Sequence, residues 1–308
     1  MSLLETSVAA RVQRLSTASA RRVIEPDVDI PGHIGPGQVL PDELLSVAGL
    51  GLELTAEQRR TLSREEVASI VQAGIIFEAV LEAGLALEIT RSRDLTDPRI
   101  TYLLHEIGEE TRHQRMFIRM LVDLQPTARN PLDRRFFRFF ERAGMALFIH
   151  RPATLYTLIL GGEEIPDLFQ KRAAEHPDTD DFVRQVNRYH RQEEARHLGF
   201  ARTVLPEVWA EAGWFDRFLV RRLAPQVIMG MFDMLVHPGV YATVGLPMWS
   251  TWNEARRAPE RVALRHEATR PVLAALISGG AVTRGRVNRA WRALCGVDRH
   301  GSPVAPPA

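Results

Sequence analysis

Between Tyr189 and Phe200 the chain reads YHRQEEARHLGF, in which Glu194 follows His190 by four residues and His197 follows Glu194 by three. An α-helix turns about 100° per residue, so these three side chains fall within a wedge of roughly 60°. Two imidazoles and a carboxylate converging from one helix have the spacing of metal ligands. A solvated Arg/Glu face that happens to carry two histidines would be spelled the same way, so the pattern needs a second observation.

A repeat supplies it. Upstream, Glu109-Glu110-Thr-Arg112-His113 has the frame of Glu193-Glu194-Ala-Arg196-His197. Each copy follows a glutamate set in apolar sequence: Glu78 lies 32 residues before Glu110, and Glu163 lies 31 before Glu194. One Glu-x-x-His is weak evidence, because both residues are common on helix surfaces. Two copies at nearly equal separation from an upstream Glu match the ferritin-like arrangement, in which two helices give one Glu each and two give Glu-x-x-His. Carboxylates are hard, charged and able to bridge two ions, and imidazoles fill terminal positions. On such ligands iron and manganese are the leading metals. Cys295 is the only cysteine, which excludes a disulfide framework within the chain and Cys-rich zinc or iron–sulfur sites.

Two choices stay open. Glu82 competes with Glu78 but would shorten the first interval to 28 residues, and Glu164 competes with Glu163. Glu109 and Glu193 lie about 100° round the helix from their neighbours. They accept the remaining ring N–H of a ligand histidine, or they pair with Arg112 and Arg196 in solvent.

His190, one turn before Glu194, is a seventh potential ligand. With it the sequence resembles the di-iron N-oxygenases typified by para-aminobenzoate N-oxygenase, most specifically in His190-x-x-x-Glu194-x-x-His197. By motif the resemblance covers roughly residues 60–205. It implies a ferritin-like di-iron core with an extra histidine on the last ligand helix. Carried over residue by residue, the ligands are Glu78, Glu110 and His113 from the first half, and Glu163, His190, Glu194 and His197 from the second. It further implies two iron ions, O2 as co-substrate, and an amine substrate. That substrate is an aryl amine in the first instance, oxidised through hydroxylamine and nitroso stages towards nitro. The competing expectations are a di-iron oxygenase performing C-hydroxylation or desaturation, and a non-catalytic ferritin-like iron-binding protein or ferroxidase. The long stretch after the last ligand helix argues against storage. No G-x-G-x-x-G or P-loop occurs, so electrons are expected from a separate reductase or ferredoxin. Phe77, Leu81, Ile159 and Leu160 line a pocket or form core. Arg265 and Arg270 anchor a substrate carboxylate or make surface ion pairs.

The elements that must position these residues are helices. The chain has 308 residues, 45% hydrophobic and 25% charged, with a formal net charge of +1. That balance offers no electrostatic argument for nucleic acid or an anionic membrane. With no apolar N-terminal segment and no apolar run near the length of a membrane span, the expectation is a cytoplasmic protein, acting as a homodimer. The organisation expected is all-α: an arm over residues 1–60 with one short helix at most, a ferritin-like four-helix bundle with additional C-terminal helices over 61–300, and a disordered tail over 301–308. Ser63 and Glu66 form a capping-box pattern that predicts a helix to about Arg91. Asp97-Pro98 starts a second, ending at Leu124, and Asn130-Pro131 opens one bearing Phe136, Phe137, Phe139 and Phe140 as core or dimer packing. Another runs from Pro152 through Gly161-Gly162, with Pro166 expected to kink it. Asp180 or Thr179 caps the ligand helix. Beyond Pro206 come helical segments near 208–236, 247–256, 259–278 and 283–294, with short strand pieces near Val240–Val244.

Overall fold

The computed structural model describes residues 3–21, 23–133 and 144–304. Four long helices form the frame: α3 (Ala56–Arg91), α4 (Pro98–Leu124), α5 (Pro152–Glu175) and α6 (Asp181–Glu211). They follow α1 (Leu3–Arg21) and the single turn α2 (Pro26–Asp29). After them come α7 (Trp214–Phe218), a π-helical turn over Leu219–Leu223, α8 (Ala224–Met234), α9 (Gly239–Ala242), α10 (Met248–Ala255), α11 (Pro259–Ser278) and α12 (Arg289–Cys295). The chain is all-α: among the described residues no strand is present, only an isolated bridge between Val297 and Pro303.

Helix α3 pairs with α4 and α5 with α6, and the two hairpins meet where α3 touches α5 and α4 touches α6. A long connection over residues 125–151 joins them, as in ferritin-like bundles with one crossover. Asp97 caps α4 by accepting from Arg99 N, and Asp180, rather than Thr179, caps α6 by accepting from Phe182 N and Val183 N. Helix α1, longer than the short helix expected of the arm, lies against both α4 and α6. Helix α11 packs on α5 and α12 on α11, closing the bundle's other side.

Several boundaries differ from expectation. Helix α3 begins at Ala56, not at Ser63, because Thr55 and Gln58 form the reciprocal capping box one turn or more earlier. Ser63 and Glu66 are buried inside the helix, where Ser63 Oγ accepts from Val39 N and Glu66 accepts from the backbone and hydroxyl of Ser46. Helix α6 runs past Pro206 to Glu211. Proline removes one ladder bond, and buried Leu205 and Trp209 hold the continuation in the apolar core. Helix α5 continues through Pro166 to Glu175. The stretch near Val240–Val244 is helical turn α9. Residues Phe136, Phe137, Phe139 and Phe140 lie outside the described residues, as do 305–308 of the expected tail. Finally, α3 contains an 18-residue window of mean hydropathy 1.8, so one helix is long and apolar enough to cross a membrane by length and composition. That corrects the expectation that no run approaches such a span; only Glu78 and Glu82 interrupt it.

Gly161 and Gly162 are sites of close helix approach. A Cβ on Gly161 would meet Ile228 of α8 at 2.6 Å, and one on Gly162 would meet the Phe77 ring of α3 at 2.0 Å.

The core is divided. One apolar cluster holds Leu81 and Leu85 of α3, Tyr102 and Leu103 of α4, Ile159 and Leu160 of α5, and Leu198 to Leu205 of α6. The other holds Leu62 to Val71 of α3, Met116 to Leu124 of α4, and Phe182 to Tyr189 of α6. On α3, α4 and α6 the residues left between these clusters include Glu78, Glu109 to His113, and His190 to His197. A Thr55→Ala substitution is expected to lower stability by about 1 kcal/mol through loss of the helix cap, read by urea denaturation. An unchanged midpoint would contradict the start at Ala56.

Candidate metal centre

The polar layer gathers side chains from four helices. Glu78 comes from α3, Glu110 and His113 from α4, Glu163 from α5, and His190, Glu194 and His197 from α6, all of them buried. Glu110 straddles the site, with Oε2 3.1 Å from His113 Nδ1 and Oε1 3.0 Å from His197 Nδ1. Glu194 does the same, with Oε1 3.3 Å from His113 Nδ1 and Oε2 3.1 Å from His197 Nδ1. Glu78 Oε1 lies 3.3 Å from His190 Nε2 and 3.9 Å from His113 Nδ1. Glu163 lies beside Glu194, close enough to feel its charge.

The outer faces of the histidines are crossed between helices. His113 Nε2 donates to Glu193 Oε2 at 3.0 Å, and His197 Nε2 donates to Glu109 Oε2 at 2.8 Å. Each of these carboxylates also pairs with an arginine: Arg112 reaches Glu193 at 3.3 Å and Arg196 reaches Glu109 at 2.8 Å. Glu109 and Glu193 thus each accept from a histidine and pair with an arginine, and those arginine pairs lie in the interior, not in solvent as the second reading had them. Tyr189 adds a hydroxyl donating to Glu193 at 2.8 Å, and α1 adds Ser19, whose Oγ accepts from Arg196 Nε at 3.1 Å. His190 Nδ1 donates to Gln170 Oε1 at 2.9 Å, which turns its Nε2 towards Glu78. With the far nitrogen of every histidine occupied, the near nitrogens face the carboxylates.

Electrostatics follow from this geometry. Burial pushes Glu78 and Glu163 well above the usual carboxylate range, and the neighbouring Glu110 and Glu194 add to the effect. Burial opposes ionisation of Glu109, but His197 and Arg196 outweigh it and hold the group at about 2. Burial works against a charged His113 too, yet Glu110 and Glu193 raise it to about 10. His190 is pushed down to about 4 by burial and by the charge on His113.

The donor set fits a pair of hard or borderline dications. Glu78 Oε2, Glu110 Oε1, Glu163 Oε1 and Glu194 Oε1 are buried and form no hydrogen bond, although Glu110 Oε1 and Glu194 Oε1 lie close to imidazole nitrogens. Close approach without hydrogen-bond alignment is what lone pairs aimed at shared points produce. Three groups could each hold an ion: Glu78 with His113 and His190, Glu110 with His113 and Glu194, and Glu106 with Glu110 and His197.

Other candidates are placed elsewhere. Glu82 accepts from Gln114 at 2.9 Å, and Glu164 pairs with Arg202, so neither joins the cluster. Phe77 presses its ring on Gly162, beside Glu78 and Glu163 in sequence. Leu81, Ile159 and Leu160 are fully buried core. Arg265 lies 3.7 Å from Asp233, and Arg270 donates to Cys295 O at 3.1 Å. Both arginines are thus engaged among C-terminal elements and not at the carboxylates. Sequence reasoning missed Glu106, Tyr189 and Gln170. For Glu106 a signal existed: it precedes Glu110 by the same four residues that separate His190 from Glu194.

Fold and site together define a ferritin-like bundle with a duplicated, buried carboxylate–histidine centre. Residues 5–279 match the family described as P-aminobenzoate N-oxygenase AurF, and the chain belongs to that family. The family is one of di-iron oxygenases. Uncharacterised proteins of Mycobacterium bovis and Mycobacterium tuberculosis are 27% identical over 172 residues, covering 56% of this chain and 50% of theirs. The chain thus matches about half the length of these curated relatives. No solved structure matches it significantly.

The shifts set a pH dependence for the metal-free chain. His113, raised from 6.5 to about 10, contributes stability that is complete below 6.5 and is lost as pH rises towards 10. Glu106, raised by burial from 4.5 to about 8, contributes stability that is lost as pH rises through 8. His190, lowered to about 4, acts oppositely but has finished by 6.5. Stability should therefore fall between pH 6.5 and 8, by about 1.4 kcal/mol per pH unit for each extra proton the fold holds. Urea unfolding of the metal-free protein at the two pH values reads this, and stability that rises across the window would contradict it.

Proposed function

We propose that the chain is a di-iron, O2-dependent monooxygenase that oxidises the nitrogen of an amine, an aryl amine in the first instance. The observation that carries this reading is the pair Glu110 and Glu194, each with one oxygen towards His113 and the other towards His197. Two carboxylates in that pose would serve both metal positions, and family membership supplies the class of reaction. Glu78, His113 and His190 would hold one iron, and Glu163 and His197 the other. Two iron ions so held supply reductive activation of O2.

The first oxidation balances as R–NH2 + O2 + 2 electrons + 2 protons giving R–NHOH + H2O, and further oxidation leads through nitroso to nitro. The electrons come from a separate donor, since the chain has no dinucleotide or flavin fingerprint. The chain's own residues do the rest. Glu109 and Glu193 fix the tautomer and direction of His197 and His113. Gln170 does so for His190. The two apolar clusters keep water from the layer between them. Phe77, lying on Gly162 next to Glu78, is the side chain against which an aryl ring would pack.

The iron-reconstituted protein, reduced and exposed to O2 with a panel of aryl amines, should yield hydroxylamine and nitro products. Glu110→Ala should lower the rate by about a hundredfold or more, since losing even an outer partner of a ligand costs 10–100-fold. Turnover of a C–H substrate with no amine oxidised, or O2 consumption without an organic product, would overturn the assignment.

A further inference from the structure

Glu106 stands at a place that neither the ligand pattern nor the family match assigns. In register, the first half reads Glu106, Glu109, Glu110, His113 where the second reads His190, Glu193, Glu194, His197. Glu106 is therefore the counterpart of His190, one helical turn before a straddling glutamate and on the same face of its helix.

The structure gives that register a physical meaning. Glu106 is 1% exposed, and its Oε2 is buried with no hydrogen-bond partner. A carboxylate oxygen of Glu106, one of Glu110 and a ring nitrogen of His197 lie within 4.8 Å of one another. On the opposite side of the layer, Glu78, His113 and His190 satisfy the same condition. No arginine makes an ion pair with Glu106 among the described residues, whereas Glu109 pairs with Arg196 and Glu193 with both Arg112 and Arg196. A carboxylate buried for structure alone would be hydrogen-bonded, because leaving it unsatisfied costs more than an apolar replacement of similar volume.

We propose that Glu106 is an additional ligand at the metal position beside His197, the carboxylate counterpart of His190 at the position beside His113. The proposal rests on the two-metal reading of the site. It makes the two positions chemically unequal. One has the imidazoles of His113 and His190; the other has one imidazole, His197, and an additional carboxylate. Nitrogen-richer and oxygen-richer positions differ in affinity for a given dication, so the two ions load in separable steps.

Cobalt(II) is a suitable probe, titrated alone into the metal-free full-length chain and followed by its visible absorption and by calorimetry. The wild type should take up two equivalents in two steps. Glu106→Gln and Glu106→Leu should leave one step unchanged and weaken the other by about tenfold or more. His190→Ala should weaken the opposite step. Glu106→Leu without metal should unfold at a temperature equal to or above that of the wild type, an outcome that a structural role would reverse and that also checks folding. Two wild-type equivalents with both Glu106 variants binding the second ion at wild-type affinity would overturn the assignment of Glu106 alone. Fewer than two wild-type equivalents would overturn the two-metal reading and this assignment together.

Discussion

Ionisable groups buried in the middle of a helical bundle cost several kcal/mol each unless something compensates their charge. Here they form a layer that interrupts α3, α4 and α6 at one level and separates two apolar clusters that would otherwise be a single core. The rest of the structure accommodates that layer. The clusters above and below supply the hydrophobic stabilisation, and the crossed pairs Glu109–His197 and Glu193–His113 satisfy the outer edge with arginines behind them. Helix α1 contributes Ser19 to the same edge, so the N-terminal segment is tied to the centre by a direct hydrogen bond. What remains open lies in the interior: one oxygen each of Glu78, Glu106, Glu110, Glu163 and Glu194 forms no hydrogen bond.

Those unsatisfied oxygens separate a candidate binding centre from a structural ion-pair network. A network selected for stability would close its hydrogen bonds, since half-satisfied buried networks are worse than apolar packing. This one pairs the outer ring nitrogens with carboxylates backed by arginines and leaves one oxygen of each inner glutamate without a hydrogen bond. The outer pairing also fixes which imidazole nitrogen faces inwards, so the proposed ligands would be oriented before any ion arrives.

The carboxylate–histidine layer is legible in the sequence because its logic is local. Glu-x-x-His on a helix places both groups on one face, and the repeat of that frame with an upstream Glu identifies the four helices that meet at the layer. The choice of Glu78 over Glu82 followed from spacing, and the structure places Glu78 in the cluster while Glu82 pairs with Gln114. What was not legible depended on contacts between distant segments. The start of α3 was misplaced because Ser63 and Glu66 spell a capping box yet are engaged by Val39 and Ser46. The sequence places separate helical segments beyond Pro206, but the ligand-bearing helix continues through it because packing of Leu205 and Trp209 outweighs one lost ladder bond. Arg265 and Arg270 had the right charge for a substrate anchor, and only the fold shows them engaged by Asp233 and Cys295. Glu106 was within reach of the sequence, hidden because its counterpart in the repeat is a histidine.

The central claim is that this layer holds two metal ions together. The most direct measurement is the Mössbauer spectrum and iron content of the protein reconstituted with iron-57 and oxidised. The account predicts two irons per chain in a spin-coupled, diamagnetic pair. One iron per chain, or two that behave as independent high-spin ions, would contradict it.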